Sequence, residues 1–152
     1  FRPLSGYRGL INTALADVNG DGHRDVIIGT ASQGKVVVVN GKTGQTLFAF
    51  NPFGAGYLGG VNVGGGDINN DGRSDIVVGV AKGSAPHVKV YNGLNAGLLA
   101  SFYAFSTSYL GGVKDNVHHY AHICEVISVR LVMAVTSYPI FSHHGDHDEQ
   151  VK

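Results

Sequence analysis

Asp17, Asp21 and Asp25 stand with Asn19 in the nonapeptide DVNGDGHRD, and Asp67, Asp71 and Asp75 stand with Asn69 in DINNDGRSD, 50 residues further on. Each is followed at once by a short apolar run, VIIG after the first and IVVG after the second. Asp, Asn and Gly also dominate tight turns, so a single copy would be explained equally well as a hairpin connection. The distribution of acid favours ligand chemistry. Among residues 1–113 there are six acidic side chains, and all six lie in these two nonapeptides. Crowding three carboxylates into nine residues raises a like-charge repulsion that a cation relieves.

Hard oxygen donors at alternate positions describe a calcium loop. Ca²⁺ takes about six to eight oxygens at roughly 2.3–2.6 Å, and a loop with side chains at positions 1, 3 and 5, a glycine at 6 and a carbonyl at 7 wraps it. Those positions are Asp17, Asn19, Asp21, Gly22 and the carbonyl of His23, and then Asp67, Asn69, Asp71, Gly72 and the carbonyl of Arg73. The EF-hand form of such a loop is excluded, because position 12 is Ile28 or Val78 where a Glu is needed, and no helix follows. The closing acid sits at position 9, as Asp25 and Asp75. A dockerin-like pair of loops is disfavoured too, since it would continue into helices.

DVIIG and DIVVG are short, β-branched and ended by glycine, which reads as strand. The repeat extends beyond the loops, and YLGGV closes each copy at 57–61 and 109–113. Eight strands are expected, near 12–16, 25–29, 35–39, 45–50, 61–65, 75–80, 87–91 and 98–105. Four strands per repeat at a period of about 40–50 residues is the signature of a propeller blade. The expected fold is therefore all-β: two four-stranded antiparallel blades of an incomplete β-propeller, at about 12–60 and 61–113.

These residues resemble a known family. DVNGDGHRDVIIG, DINNDGRSDIVVG, the intervening GAGYLGGVNVGGGD and the segment PHVKVYNG are similar to the FG-GAP (VCBS-type) repeats of bacterial surface and secreted proteins, which are related to the calcium-binding blades of integrin α-subunit propellers. The resemblance covers roughly residues 12–113. It implies that Asp17, Asn19, Asp21 and Asp25, with Asp67, Asn69, Asp71 and Asp75, bind Ca²⁺ between the first two strands of each blade. It also implies an extracellular or cell-surface location, where calcium is abundant.

The pattern stops at Val113, where another glycine-rich strand and acidic loop would be due. Of 23 glycines, 22 precede residue 114, while six of eight histidines, the only Cys and the only Met follow it. Such a shift marks a boundary. The tail 114–152 is open to three readings: a degenerate third blade, an unrelated extension, or the product of a truncated or shifted frame. Its run 126–135 fits a strand better than a helix, and its histidines (His118, His119, His122, His143, His144, His147) read as a solvated His-rich end before they read as a metal site.

Other classes are weighed on the same residues. GAGYLG at 54–59 matches G-x-G-x-x-G, but a strand rather than a helix follows it, which excludes a dinucleotide fingerprint. Net charge is zero and the eight basic residues of the repeat region are dispersed, which disfavours nucleic acid. No segment is long and apolar enough to span a membrane. Two blades fall short of the roughly four to eight that close a propeller, and the chain begins with Phe. The expectation is a fragment, or a chain that associates to complete its ring.

The aromatics Phe48, Phe50, Phe102, Phe105, Tyr57 and Tyr109 are expected between blades rather than around a sugar. Catalysis would need spare acids, bases or nucleophiles. Ser84 near His87 is the nearest pair in the repeats, with no carboxylate left to orient it. The expected function is a non-catalytic, calcium-stabilised scaffold for a protein or glycan ligand. The alternative is the propeller part of a secreted hydrolase or lyase whose catalytic residues lie outside this chain.

Overall fold

In a computed structural model of the chain, residues 3–113 are described. The expectations for residues 114–152, including the His-rich clusters and the strand at 126–135, lie outside the described residues. Eight strands form two sheets: β1 (Ile11–Ala16), β2 (Asp25–Thr30), β3 (Val36–Val39) and β4 (Thr46–Phe50), then β5 (Val61–Gly66), β6 (Asp75–Val80), β7 (His87–Tyr91) and β8 (Leu98–Tyr103). Each sheet is an antiparallel meander in sequence order, and a bulge between Val38 and Val39 in the first recurs between Val90 and Tyr91 in the second. No helix occurs among the described residues, and the all-β, blade-like fold read from the sequence is the fold observed. None of the described residues therefore forms a helix able to cross a membrane.

Alternation along the strands decides how the sheets stack. In β3, Val36 and Val38 face the second sheet while Val37 and Val39 face the opposite side with Ile28. The shared core joins Ala14, Ala16, Ile27, Val36 and Val38 of the first sheet to Val61, Val63, Ile76, Val78 and Tyr91 of the second. Full burial of each branched side chain contributes about 1.5–3 kcal/mol, so this apolar seam is a main hold of one blade on the next. Phe48, Phe50 and Tyr57 pack against it, as expected of aromatics between blades. Phe105 and Tyr109 instead lie exposed, in a T-shaped pair at 5.4 Å that repeats the Phe53–Tyr57 pair.

The glycine that ends each apolar run in the sequence lies inside the strand. Gly29 pairs with Asn12 and Gly79 with Asn62, and each strand runs one residue further, to Thr30 and Val80. Close approach explains the glycine. A Cβ at Gly29 would lie 2.8 Å from the Val61 carbonyl, and one at Gly79 would lie 3.0 Å from Val113. Thus Val113 stands against the second blade where Val61 stands against the first.

Asparagine fixes the same approach. Asn12 Nδ2 donates to the Val61 carbonyl and to Asn62 Oδ1, both at 3.0 Å, and Asn62 Nδ2 donates to the Val113 carbonyl. The corner before each first strand also recurs: Tyr7 OH donates to the Leu10 carbonyl and Tyr57 OH to the Gly60 carbonyl. YRGLI at 7–11 is a third, degenerate copy of YLGGV, visible in the sequence once Tyr7, Gly9 and Ile11 are aligned with Tyr57, Gly59 and Val61.

Candidate metal centre

Each acidic loop connects the first two strands of its sheet, between Ala16 and Asp25 and between Gly66 and Asp75. Its shape follows from side-chain oxygens capturing backbone N–H groups. Asp17 Oδ1 accepts from Gly20 N at 2.7 Å and Asp21 N at 3.0 Å, and Oδ2 accepts from Gly22 N at 2.8 Å. Asn19 Oδ1 accepts from Asp21 N at 2.9 Å, and Asp21 Oδ1 from His23 N at 2.8 Å, two successive Asx turns. The second loop repeats the circuit. Asp67 takes Asp71 N and Gly72 N, Asn69 takes Asp71 N, and Asp71 takes Arg73 N, all at 2.9–3.1 Å. Gly22 and Gly72 sit at φ +82° and +85°, a left-handed conformation that favours glycine at position 6.

The ninth position has a different environment. Asp25 and Asp75 are fully buried. Asp25 Oδ2 accepts from Val18 N at 2.9 Å and Asn19 N at 3.2 Å, while Oδ1 accepts from Gly41 N at 3.0 Å. Asp75 does the same with Ile68 N, Asn69 N and Gly93 N. One carboxylate therefore ties the acidic loop, the start of the second strand and the turn after the third into one knot. Gly41 and Gly93 belong to this knot, because a Cβ at either would strike backbone oxygen, of Arg24 or of Ser74.

The turn after the third strand supplies residues that the sequence reading did not assign. Asn40 Nδ2 reaches Asp21 Oδ2 at 3.3 Å, and Asn92 Nδ2 reaches Asp71 Oδ2 at 3.4 Å. The signal was present as the repeated dipeptide Asn-Gly at 40–41 and 92–93, which reads by itself as an ordinary turn. Arg73, singled out for its carbonyl, also acts through its side chain: Nη1 donates to the Asn19 carbonyl at 2.7 Å, and Ser74 N donates to the Asp17 carbonyl at 2.8 Å. The first loop is thereby seated on the second.

The structure thus brings Asp17, Asn19 and Asp21 together, as it does Asp67, Asn69 and Asp71, and places Asp25 and Asp75 beneath them among amides. Backbone N–H groups meet much of the carboxylate repulsion that the sequence alone assigned to a cation. Among the described residues, no group of three His, Cys, Asp or Glu side chains is assembled for a metal. The donors fit a hard cation by chemistry: carboxylate oxygens, an amide oxygen and a peptide carbonyl, with no nitrogen or sulfur ligand required. At Asp21 Oδ2, N–H groups of Asn19 (2.9 Å) and Asn40 point at the oxygen, where positive charge is favoured. Asn69 and Asn92 do likewise at Asp71.

These contacts set the electrostatics. The Asn19 side chain and then the His23 N–H hold the Asp21 carboxyl below 3.8, and Asn69 and the Arg73 N–H do the same for Asp71. Burial pushes Asp75 above 3.8, against the opposing pull of its three amide donors. For Asp21 and Asp71 the linked stability is present above 3.8 and lost as pH falls through their folded-state values. For Asp75 the sign reverses, and stability falls as pH rises from 3.8 through its raised value. A carboxyl ¹³C titration in chelator should order the three accordingly, with Asp75 titrating last as pH rises. Asn19→Ala should move Asp21 upward and leave Asp71 unchanged; an unmoved Asp21 would contradict the assigned cause.

Comparison with curated proteins and with solved structures finds no match. Residues 17–78 match the family model described as an FG-GAP-like repeat, a span that opens at the first acidic loop, contains the second and ends within β6. Two such loops stand at the same place on two stacked four-stranded sheets, and residues 17–78 are similar to an FG-GAP-like repeat, in keeping with a β-propeller-like arrangement of the described strands.

Proposed function

We propose that this chain is a calcium-binding, non-catalytic scaffold module of a secreted or cell-surface protein, whose blades present a surface to a protein or glycan ligand. The single observation that carries the reading is the doubled loop: the same donors in the same hydrogen-bond circuit, twice, with the acids of the repeat region concentrated there. Asp17, Asn19, Asp21 and the His23 carbonyl hold one ion, and Asp67, Asn69, Asp71 and the Arg73 carbonyl the other. Asp25 and Asp75 support the loops from below. The ion supplies positive charge between carboxylates and so stiffens the connection between the first two strands of each blade.

The geometry around His87 supports the non-catalytic part. Its Nε2 lies 2.8 Å from Ser101 Oγ, not from Ser84, and the six acids of residues 1–113 all sit in the loops, so none orients that imidazole. Calorimetry should find close to two Ca²⁺ per chain, with Mg²⁺ binding more weakly because a flexible oxygen-rich loop suits the larger ion. Asp21→Ala combined with Asp71→Ala should abolish the heat of binding. Undetectable binding at millimolar calcium, or binding that survives the double substitution, would overturn the reading.

A further inference from the structure

At the edge of the blade interface opposite the acidic loops lies a cavity of about 290 Å³, lined by Phe53, Tyr57, Ser84, His87, Lys89 and Tyr103. Its walls are a continuous run of rings. Phe53 meets Tyr57 at 5.4 Å and His87 at 5.2 Å, and His87 stacks on Tyr103 at 4.7 Å with 26° between the planes. Lys89 Nζ lies 5.3 Å from the Phe53 centroid and spends one N–H on the Pro52 carbonyl at 2.9 Å. An ammonium has three such donors, which leaves Lys89 with two to present to a ligand.

Comparison of the two blades separates architecture from what is special here. The Phe53–Tyr57 pair recurs as Phe105–Tyr109, so that pair is part of the repeat. The other wall is not. With Val88 aligned to Val36 and Phe102 to Phe50 across the pairing of third and fourth strands, His87, Lys89 and Tyr103 stand where the first blade has Lys35, Val37 and Asn51. Val37 is fully buried, as a valine in the middle of a blade should be. A lysine in that position, with a stacked His–Tyr pair beside it, serves packing poorly and serves a ligand well.

We propose that this cavity binds a single acidic pyranose, such as a terminal uronic acid, with its C–H face on the Tyr103 ring, which His87 backs on the other side, and its carboxylate on Lys89. The volume is at the small end of ligand pockets, about 300–1,000 Å³, which suits one six-membered ring and its substituents. Lys89 is the only charged side chain in the lining, so the site selects an anion. Burial, with the Lys89 charge, holds His87 below 6.5, and at neutral pH the imidazole is an uncharged wall rather than a second cation. Ser84 adds a hydroxyl suited to sugar hydroxyls. The inference gives chemical content to the glycan arm of the scaffold reading and does not depend on calcium.

The test is saturation-transfer NMR on the full chain with methyl glucuronide, methyl glucoside and acetate, in calcium and again in chelator, so that loss of the sugar and loss of the metal are read separately. The glucuronide should receive saturation at its ring protons and bind about tenfold more tightly than the glucoside, the worth of one charge-assisted contact. Lys89→Met should erase that preference. Tyr103→Ala, a change at a half-exposed side chain that leaves the Lys89–Pro52 contact intact, should weaken the glucuronide by about tenfold. Amide dispersion identifies any variant that fails to fold. No transfer to the glucuronide in calcium, acetate competing as well as the sugar, or binding unchanged by Tyr103→Ala would each overturn the proposal.

Discussion

Asp25→Ala should destabilise the fold by about 3–5 kcal/mol, whether or not calcium is present, because three backbone N–H groups lose their only described acceptor inside the protein. Asp75→Ala should behave alike, orphaning Ile68 N, Asn69 N and Gly93 N. Against a domain stability of roughly 5–15 kcal/mol, that loss is large. Asp25→Asn should cost less, since one carbonyl oxygen still accepts while the amide nitrogen opposes another donor. The matched control is Asp21→Ala, whose carboxylate is part-exposed and bonded mainly within its own loop. In chelator it should melt close to the unsubstituted chain. Denaturant unfolding of the variants, with calcium and with chelator, separates the two kinds of aspartate; an Asp25→Ala loss that vanished in chelator would make Asp25 a ligand only.

Chelation itself should lower the melting temperature by roughly 10–20 °C. An ion that binds only the folded chain adds RT ln(1 + [L]/Kd), about 2.7 kcal/mol per site at a hundredfold excess over Kd, and so about 5 kcal/mol for two sites. The effect should be more than the sum of isolated loops, because Arg73 and Ser74 brace the first loop on the second. Arg73→Ala should therefore lower the melting temperature and narrow the gap between calcium and chelator. Melts that superimpose in calcium and chelator would remove the structural role of the ion.

Most of the fold was legible in the sequence because it is written twice. A strand of Val and Ile between glycine-rich turns is ambiguous once, but the second copy, offset by 50 residues, fixes which features are architectural. The acidic loops between the first two strands of each sheet were legible for the same reason. What local reading missed depends on contacts between elements distant in sequence. Gly29 looked like a strand end, and only the carbonyl of Val61, brought against it by the next blade, shows why no side chain fits. Asn40 and Asn92 carry no local signal beyond Asn-Gly, and it is the third strand that places them over the acidic loop. The role of Asp25 divides from that of Asp21 by burial, which spacing alone does not encode. Lys89 is one of eight dispersed bases by composition, while Val88 and Val90 on either side mark it as a cation inside a strand.

The most direct measurement is anomalous scattering from crystals of the chain grown in calcium. Two peaks are expected, one among oxygens of Asp17, Asn19, Asp21 and the His23 carbonyl and one among those of Asp67, Asn69, Asp71 and the Arg73 carbonyl, each at roughly 2.3–2.6 Å from its donors. Loops that keep their amide-bonded carboxylates with no peak at either position, at calcium well into the millimolar range, would contradict it.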